Sequence, residues 1–140
     1  MKVYFRKVLK KDWDYILKLR NDYKFRTNFY HQHTISKKEH YNYLKNQKSN
    51  SNFYNWIICN ENKDVGYIRI LDDDIGIIID SKFQKKGIGT KALQLLEAEA
   101  KKLGHKKLIG KVMIHNKNSK KLFEKNSYKL KMYWFEKEFT

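Results

Sequence analysis

Between Asp74 and Gly104 the chain passes without a break from an apolar run, DIGIIID, through SKFQKKGIGT, into a long helical pattern. That junction constrains the fold more than any other feature. An apolar run of strand length, entered through Asp72-Asp73 and left through a loop, predicts a strand over 74–80, apolar enough to be central. Ile88, Ala92, Leu95, Leu96, Glu99 and Leu103 then share one side of a helix over 88–103, with Gly104 at its C′ position. A strand that feeds straight into a helix leaves the first backbone N–H groups of that helix unpartnered, at the positive end of its dipole. Two of only six glycines, Gly87 and Gly89, stand there behind Lys85 and Lys86. Glycine lets an anion approach the backbone and lysine adds charge, so the loop reads as a phosphate site. A plain tight turn is the blander reading of the same residues.

The remaining periodicities place this junction in a sheet. Strands are expected over 2–8, 55–60, 64–71 and 107–113, with one or two more within 128–139, where Leu130, Met132 and Trp134 alternate. Helices are expected from Asp12, carrying Trp13, Ile16 and Leu17, from the capping box Ser36-Lys37-Lys38-Glu39, and over 116–125. The order β-α-α-β-β-β-α-β-α-β(β) combines antiparallel hairpins with later parallel units. It predicts one α/β (α+β) domain over 1–140, a mixed sheet of six to seven strands flanked by about four helices.

Composition narrows the partners. Thirty-one Lys and Arg against fifteen Asp and Glu give a formal charge of +16, which attracts polyanions of any kind. The single cysteine, Cys59, sits in the apolar WIIC and reads as a buried thiol in a reducing compartment. The N-terminal MKVYFRKVLKK has no apolar core of signal-peptide length, and no stretch approaches the roughly 20 apolar residues of a membrane span, so a cytoplasmic chain is expected. His31, His33 and His40 lack a carboxylate or cysteine at ligand spacing, so no metal is expected and surface or acceptor-lining histidines are. The lysine-aromatic mixture YKLKMYWFEKEF could stack single-stranded nucleic acid, but an alternating strand with one wet face explains it more simply.

The phosphate in question is not a dinucleotide on a Rossmann unit. Gly87-x-Gly89-x-x-Ala92 has that spacing, but it lies past mid-chain, and the next strand carries Lys106, Lys107 and Lys111 where an acidic residue is needed. No GxxxxGK[ST] loop is present either. From Asp74 onward the sequence instead resembles the GNAT superfamily of acetyl-CoA-dependent N-acetyltransferases. Gln84-Lys85-Lys86-Gly87-Ile88-Gly89 meets the family's [QR]-x-x-G-x-[GA], and VMIHNKNSKKLFEKNSY over 112–128 is similar to its second conserved segment.

The resemblance implies a fold, a co-substrate and roles. The pyrophosphate of coenzyme A is expected on the amides of Lys85, Lys86, Gly87, Ile88, Gly89 and Thr90, with Gln84 opening the motif. The pantetheine arm is expected to pair with Ile77, Ile78 and Ile79, with Asn116 and the neighbouring Ser119 beside it. Asn116 reads equally as a helix cap. Where many members carry the tyrosine that protonates the leaving thiolate, this chain has Phe123, which leaves Tyr128, Tyr133, Ser119 or water as the acid, Tyr128 being the named candidate. Ser127 replaces the usual glycine before the aromatic, and the preceding Asn126 suggests a turn shifted by one. Asp74 matches an acidic position of several branches and is the candidate base, its plainer reading being a turn residue. The stretch 17–44 resembles a branch containing amino-sugar-nucleotide and ribosomal-protein N-acetyltransferases. There Arg20, Asn21 and Arg26 are the candidate acceptor-binding residues. The expected acceptor is a small-molecule amine, a UDP-linked amino sugar first and a protein N-terminus second. A membrane is not an expected partner, a homodimer is left open, and an inactive RNA-binding module of the same fold is the competing class.

Overall fold

The computed structural model describes the chain at all positions except 23, 24, 26–28 and 30. Strand β1 (Val3–Lys7) leads through a short 3₁₀ turn (Lys10–Asp12) into α1 (Trp13–Asn21) and then α2 (Lys37–Gln47). Three strands follow, β2 (Phe53–Asn60), β3 (Lys63–Leu71) and β4 (Asp74–Ile79), and then α3 (Ile88–Lys102), β5 (Ile109–Gly110) and α4 (Lys117–Lys125). The sheet order is β1-β2-β3-β4-β5, antiparallel throughout except for the parallel β4–β5 pair.

Local chemistry accounts for the connections. Glu61 and Asn62 fill the two-residue β2–β3 loop with φ of 52° and 66°, the doubly left-handed turn whose twist suits a hairpin. In the β3–β4 turn Asp72 alone takes the left-handed region, at φ 56°. Ser36 caps α2 by accepting from the Glu39 amide at 3.1 Å. Strand alternation gives the sheet two apolar faces. Ile58, Ile68, Ile70 and Ile75 pack on Ile88, Ala92, Leu93 and Leu96 of α3 and on Phe123 of α4. On the opposite face Ile57, Cys59, Tyr67 and Ile78 pack on Ile16 and Leu19 of α1 and on Phe25.

Several expectations are corrected. The sheet has five strands among the described residues, and the four helices match. Residues 129–140 belong to neither helix nor strand, with Leu130, Met132 and Phe135 exposed, because the alternating pattern meets no neighbouring strand. The strand expected over 107–113 contracts to Ile109–Gly110. The buried stripe of α3 is Ile88, Ala92, Leu93, Leu96 and Ala100, rotated from the expected side so that Leu103 is exposed. The left-handed residue after α4 is Ser127, at φ 69°, and not Asn126, so the turn is unshifted. No helix among the described residues is long and apolar enough to cross a membrane.

One irregularity positions the site. β4 and β5 pair only through Asp74–Ile109 and Ile75–Gly110, and β4 then runs on through Gly76–Ile79 paired with β3 on one side and with no strand on the β5 side among the described residues. The Ile109 amide donates to the Asp73 carbonyl at 2.8 Å. Alternation along β4 therefore turns the N–H and C=O of Ile77 and Ile79 toward the gap between the strands.

Candidate active site

The gap beside β4 leads to the glycine loop. The Gln84 side chain donates to the Ile79 carbonyl at 3.0 Å and ties the loop to the end of β4, while the Ile77 backbone faces the open side. Lys85 and Gly87 both take left-handed conformations, at φ 62° and 78°. Gly87 is the N-cap of α3, offers no side-chain cap, and the first turn contains no acidic residue. The amides of Ile88, Gly89 and Thr90 therefore keep their donors for an outside acceptor. Gly89 has no left-handed φ, and a Cβ there would meet Leu122 at an ordinary 3.7 Å, so alanine also fits. At the other end of the gap the Phe123 ring lies over Gly110, where a Cβ would come within 2.5 Å of it. Asn116 caps α4, accepting from the Ser119 amide at 3.2 Å and donating to the Ser119 hydroxyl at 3.0 Å.

The α1/α2 face of the sheet carries a second, cationic cluster. Asp74 binds Arg69 through Oδ2 at 3.2 Å, and its Oδ1 lies 3.5 Å from Lys111 Nζ, buried and without a hydrogen bond. Arg69 reaches Asp74 by lying across Gly76, where a Cβ would stand 2.9 Å from the guanidinium carbon. Arg20 donates from Nη1 to His40 Nδ1 at 3.2 Å, and its guanidinium sits 5.5 Å from the Tyr43 ring centre. Because Nδ1 accepts, His40 is neutral and donates from Nε2 to the Trp13 carbonyl at 2.8 Å. Burial lowers the pKa of both Arg20 and His40. No carboxylate pairs with Arg20 among the described residues. Tyr67, pushed up to about 12 by burial, accepts from Asn55 at 3.1 Å on the same face.

The family profile described as "Acetyltransferase (GNAT) domain" matches residues 2–129. The chain belongs to the GNAT family. Solved structures agree on the fold. A domain from Methanocaldococcus jannaschii is 27% identical, with a TM-score of 0.81 over 91% of this chain and 88% of that one. The spermidine N-acetyltransferase of Vibrio cholerae, in complex with CoA and spermine, is 17% identical, with a TM-score of 0.78 over 88% and 78%. The ribosomal-protein-alanine N-acetyltransferase of Brucella melitensis is 19% identical, with a TM-score of 0.75 over 88% and 82%. No curated protein matches the chain. The GNAT domain is an N-acetyltransferase with acetyl-CoA as co-substrate.

Within this GNAT domain the expected coenzyme residues Ile77, Ile79 and Gln84 to Thr90 follow one another along β4, the loop and the start of α3, while Ile78 is buried in the core and Asn116 and Ser119 stand at the start of α4. The candidate acceptor residues separate. Arg20 stands on the sheet face described above, Arg26 lies outside the described residues, and Asn21 spends its amide on the Ile35 backbone at 2.7 and 2.8 Å. Burial, with the Glu97 carboxylate beside it, raises the pKa of the Tyr128 hydroxyl. His40 is fully buried, which corrects the expected surface position. The sequence left His40 among surface or acceptor-lining histidines and did not mark Tyr43, Tyr67 or Arg69 as site residues. The legible signal for the last two was alternation in β3, which sets Tyr67 and Arg69 opposite Ile68 and Ile70. No group of three or more His, Cys, Asp or Glu able to hold a metal occurs among the described residues.

Proposed function

We propose that this GNAT domain acetylates the primary amine of a small anionic acceptor, and that the acceptor is a nucleotide-linked amino sugar. The observation that carries this reading is Arg20, a half-buried cation held by a neutral histidine with no carboxylate among the described residues. A desolvated guanidinium without a counter-charge is costly unless the ligand supplies one, and its planar fork suits phosphate oxygens. Arg69 lies toward the same side of the sheet, and the +16 chain favours an anionic acceptor over a polycation such as a polyamine.

Bound acetyl-CoA supplies the activated acetyl thioester. The amides of Lys85, Lys86, Gly87, Ile88, Gly89 and Thr90 hold its pyrophosphate, with Gln84 fixing the loop. The exposed edge of Ile77–Ile79 aligns its arm by strand-like bonds, Ile78 anchoring that edge to the core. Asn116 and Ser119 contact the same arm from the start of α4. Rate comes chiefly from positioning and from backbone donors that polarise the acetyl carbonyl. Asp74, between Arg69 and Lys111, is better placed to hold those cations than to take up a proton. An amine near ~8 can lose its proton to water. Phe123 contributes no proton and Tyr128 is engaged by Glu97, so a thiol of ordinary pKa near ~8.5 takes its proton from solvent.

The test is thiol release from acetyl-CoA with a UDP-linked amino sugar, the free amino sugar, spermidine and an N-terminal peptide. Turnover is expected to be fastest with the nucleotide-linked sugar. Arg20→Gln is expected to raise KM for it about tenfold, the loss of roughly one charge-assisted bond, while leaving the free sugar unchanged. Faster turnover of spermidine or peptide, indifferent to Arg20→Gln, would overturn the acceptor assignment. Absence of coenzyme binding by calorimetry would overturn the coenzyme roles as well.

A further inference from the structure

Where the 3₁₀ turn and the start of α1 meet α2, a cavity of about 300 Å³ is lined by Lys10, Trp13, Tyr41, Asn42, Lys45 and Lys48. Its aromatic part is covered. Trp13 is 5% exposed, and the Tyr41 ring meets it edge-on at 5.1 Å. Its charged part is open to solvent. Lys10, Lys45 and Lys48 are all exposed, with Lys48 Nζ 5.3 Å from the Trp13 ring centre. The end of α2 accounts for Lys45 and Lys48 by itself, since cations suit the last turn of a helix. It does not account for Lys10, which comes from another element to line the same cavity. None of the three ammonium groups pairs with a carboxylate among the described residues. The acids next in sequence are committed elsewhere. Asp12 is buried and accepts from Arg6 and the Leu9 amide, while Asp14 accepts from the Tyr41 hydroxyl at 2.7 Å and lies 3.8 Å from Lys37. Like charges gathered without a counter-charge repel one another, and a bound anion removes that cost.

We propose that this cavity is a second anion site, for the diphosphate group of a small phosphorylated ligand. A monocarboxylate would balance one of the three lysines, whereas a diphosphate carries charge enough for all of them. The lysine ammonium binds phosphate as a point charge and demands no planar partner. The Asn42 side-chain amide adds a neutral donor beside them. The volume lies at the lower end of the range that small ligands occupy, and a cavity bounded by six residues suits a compact group better than a polymer backbone. The site is separate from both of those described above. His40, next to Tyr41 on α2, is fully buried and holds Arg20, but none of the lining residues belongs to the Arg20–Arg69 cluster or to the glycine loop.

Inorganic pyrophosphate is the probe, titrated into the full chain with coenzyme A in excess, because the glycine loop is itself proposed to hold a pyrophosphate. The amide resonances of Asn42, Lys45 and Lys48 are expected to shift saturably. In calorimetry the triple variant Lys10→Gln, Lys45→Gln, Lys48→Gln is expected to bind about tenfold more weakly, the sum of three exposed ion contacts. Lys101→Gln, Lys106→Gln, Lys107→Gln makes the same change of charge on other exposed lysines and is expected to bind like wild type. Both triples change exposed side chains only, and unchanged melting profiles show that they fold. Absence of binding, shifts confined to residues 85–90, or equal weakening by the two triples would each overturn the site. Inorganic phosphate binding as tightly as pyrophosphate would overturn the diphosphate assignment. None of these readouts uses acetyl transfer, so they stand or fall apart from the enzymatic assignment.

Discussion

Gly87→Ala tests the glycine loop where its geometry is most demanding. Gly87 holds φ 78°, and a Cβ there would meet only Met1 Cε at 3.8 Å, so the substitution adds backbone strain without a clash. A left-handed L-residue costs about 1–2 kcal/mol. For a chain of this size that is a Tm loss of about 3 °C per kcal/mol, or about 3–6 °C in all. If the loop keeps its shape, the free protein bears the whole loss and coenzyme affinity is unchanged. If φ relaxes to a negative value, the free protein is spared and the amides turn away. Coenzyme A then binds about 5–30-fold more weakly, the same free energy read as affinity. Melting under saturating coenzyme A therefore falls by the full amount in either case. Gly87→Asn is expected to recover most of it, because asparagine tolerates the left-handed region. Gly89→Ala has no left-handed φ and finds Leu122 at 3.7 Å, so its Tm and affinity are expected to stay near wild type. Equal behaviour of Gly87→Ala and Gly89→Ala in calorimetry and thermal melts would refute the reasoning.

Arg6→Ala removes two of the three donors to the buried Asp12, each at 2.8 Å, leaving the Leu9 amide, and is expected to cost about 3–5 kcal/mol in urea unfolding. The Arg6 bond also holds the Asp12 carboxyl below its usual range. That stabilisation is present above the unfolded value of 3.8 and is lost as pH falls through the lower folded value, so the variant's acid limb should be flatter. His40 is held neutral by burial, so the unfolded chain takes the proton first. Stability complete above pH 6.5 is expected to decline as pH falls from there toward the lowered folded value, and His40→Gln should remove that slope in pH-dependent unfolding. Gly110→Ala drives a methyl into the Phe123 ring and is expected to cost about 1–3 kcal/mol by chemical denaturation. The added Phe123→Leu should return part of that loss.

How much was legible follows from how local each feature is. The helix caps, the two-residue turns and the strand–loop–helix junction rest on neighbours within four residues, so they stand where the sequence places them to within a residue or two. The face of α3 was misjudged because Leu93 and Ala100 are as compatible with the pattern as Leu95 and Leu103, and the sheet selected among them. The strand expected over 128–139 was misjudged for a related reason. Alternation records a preference for pairing, and a pairing needs a partner edge within reach.

The sequence by itself determined an α/β chain with a glycine loop between a buried strand and a helix, and the family resemblance that the loop carries implied the coenzyme. The proposed site is built from consecutive backbone groups whose conformation is set by the residues that carry them. The cationic cluster was decided by the tertiary structure alone. Arg20, His40, Tyr67, Arg69 and Asp74 come from four elements, and what joins them is the crossing of α1 and α2 over one face of the sheet. The charge state of His40 and the lack of a carboxylate partner for Arg20 among the described residues depend on burial and on partners twenty or more residues away, and no local pattern records such contacts.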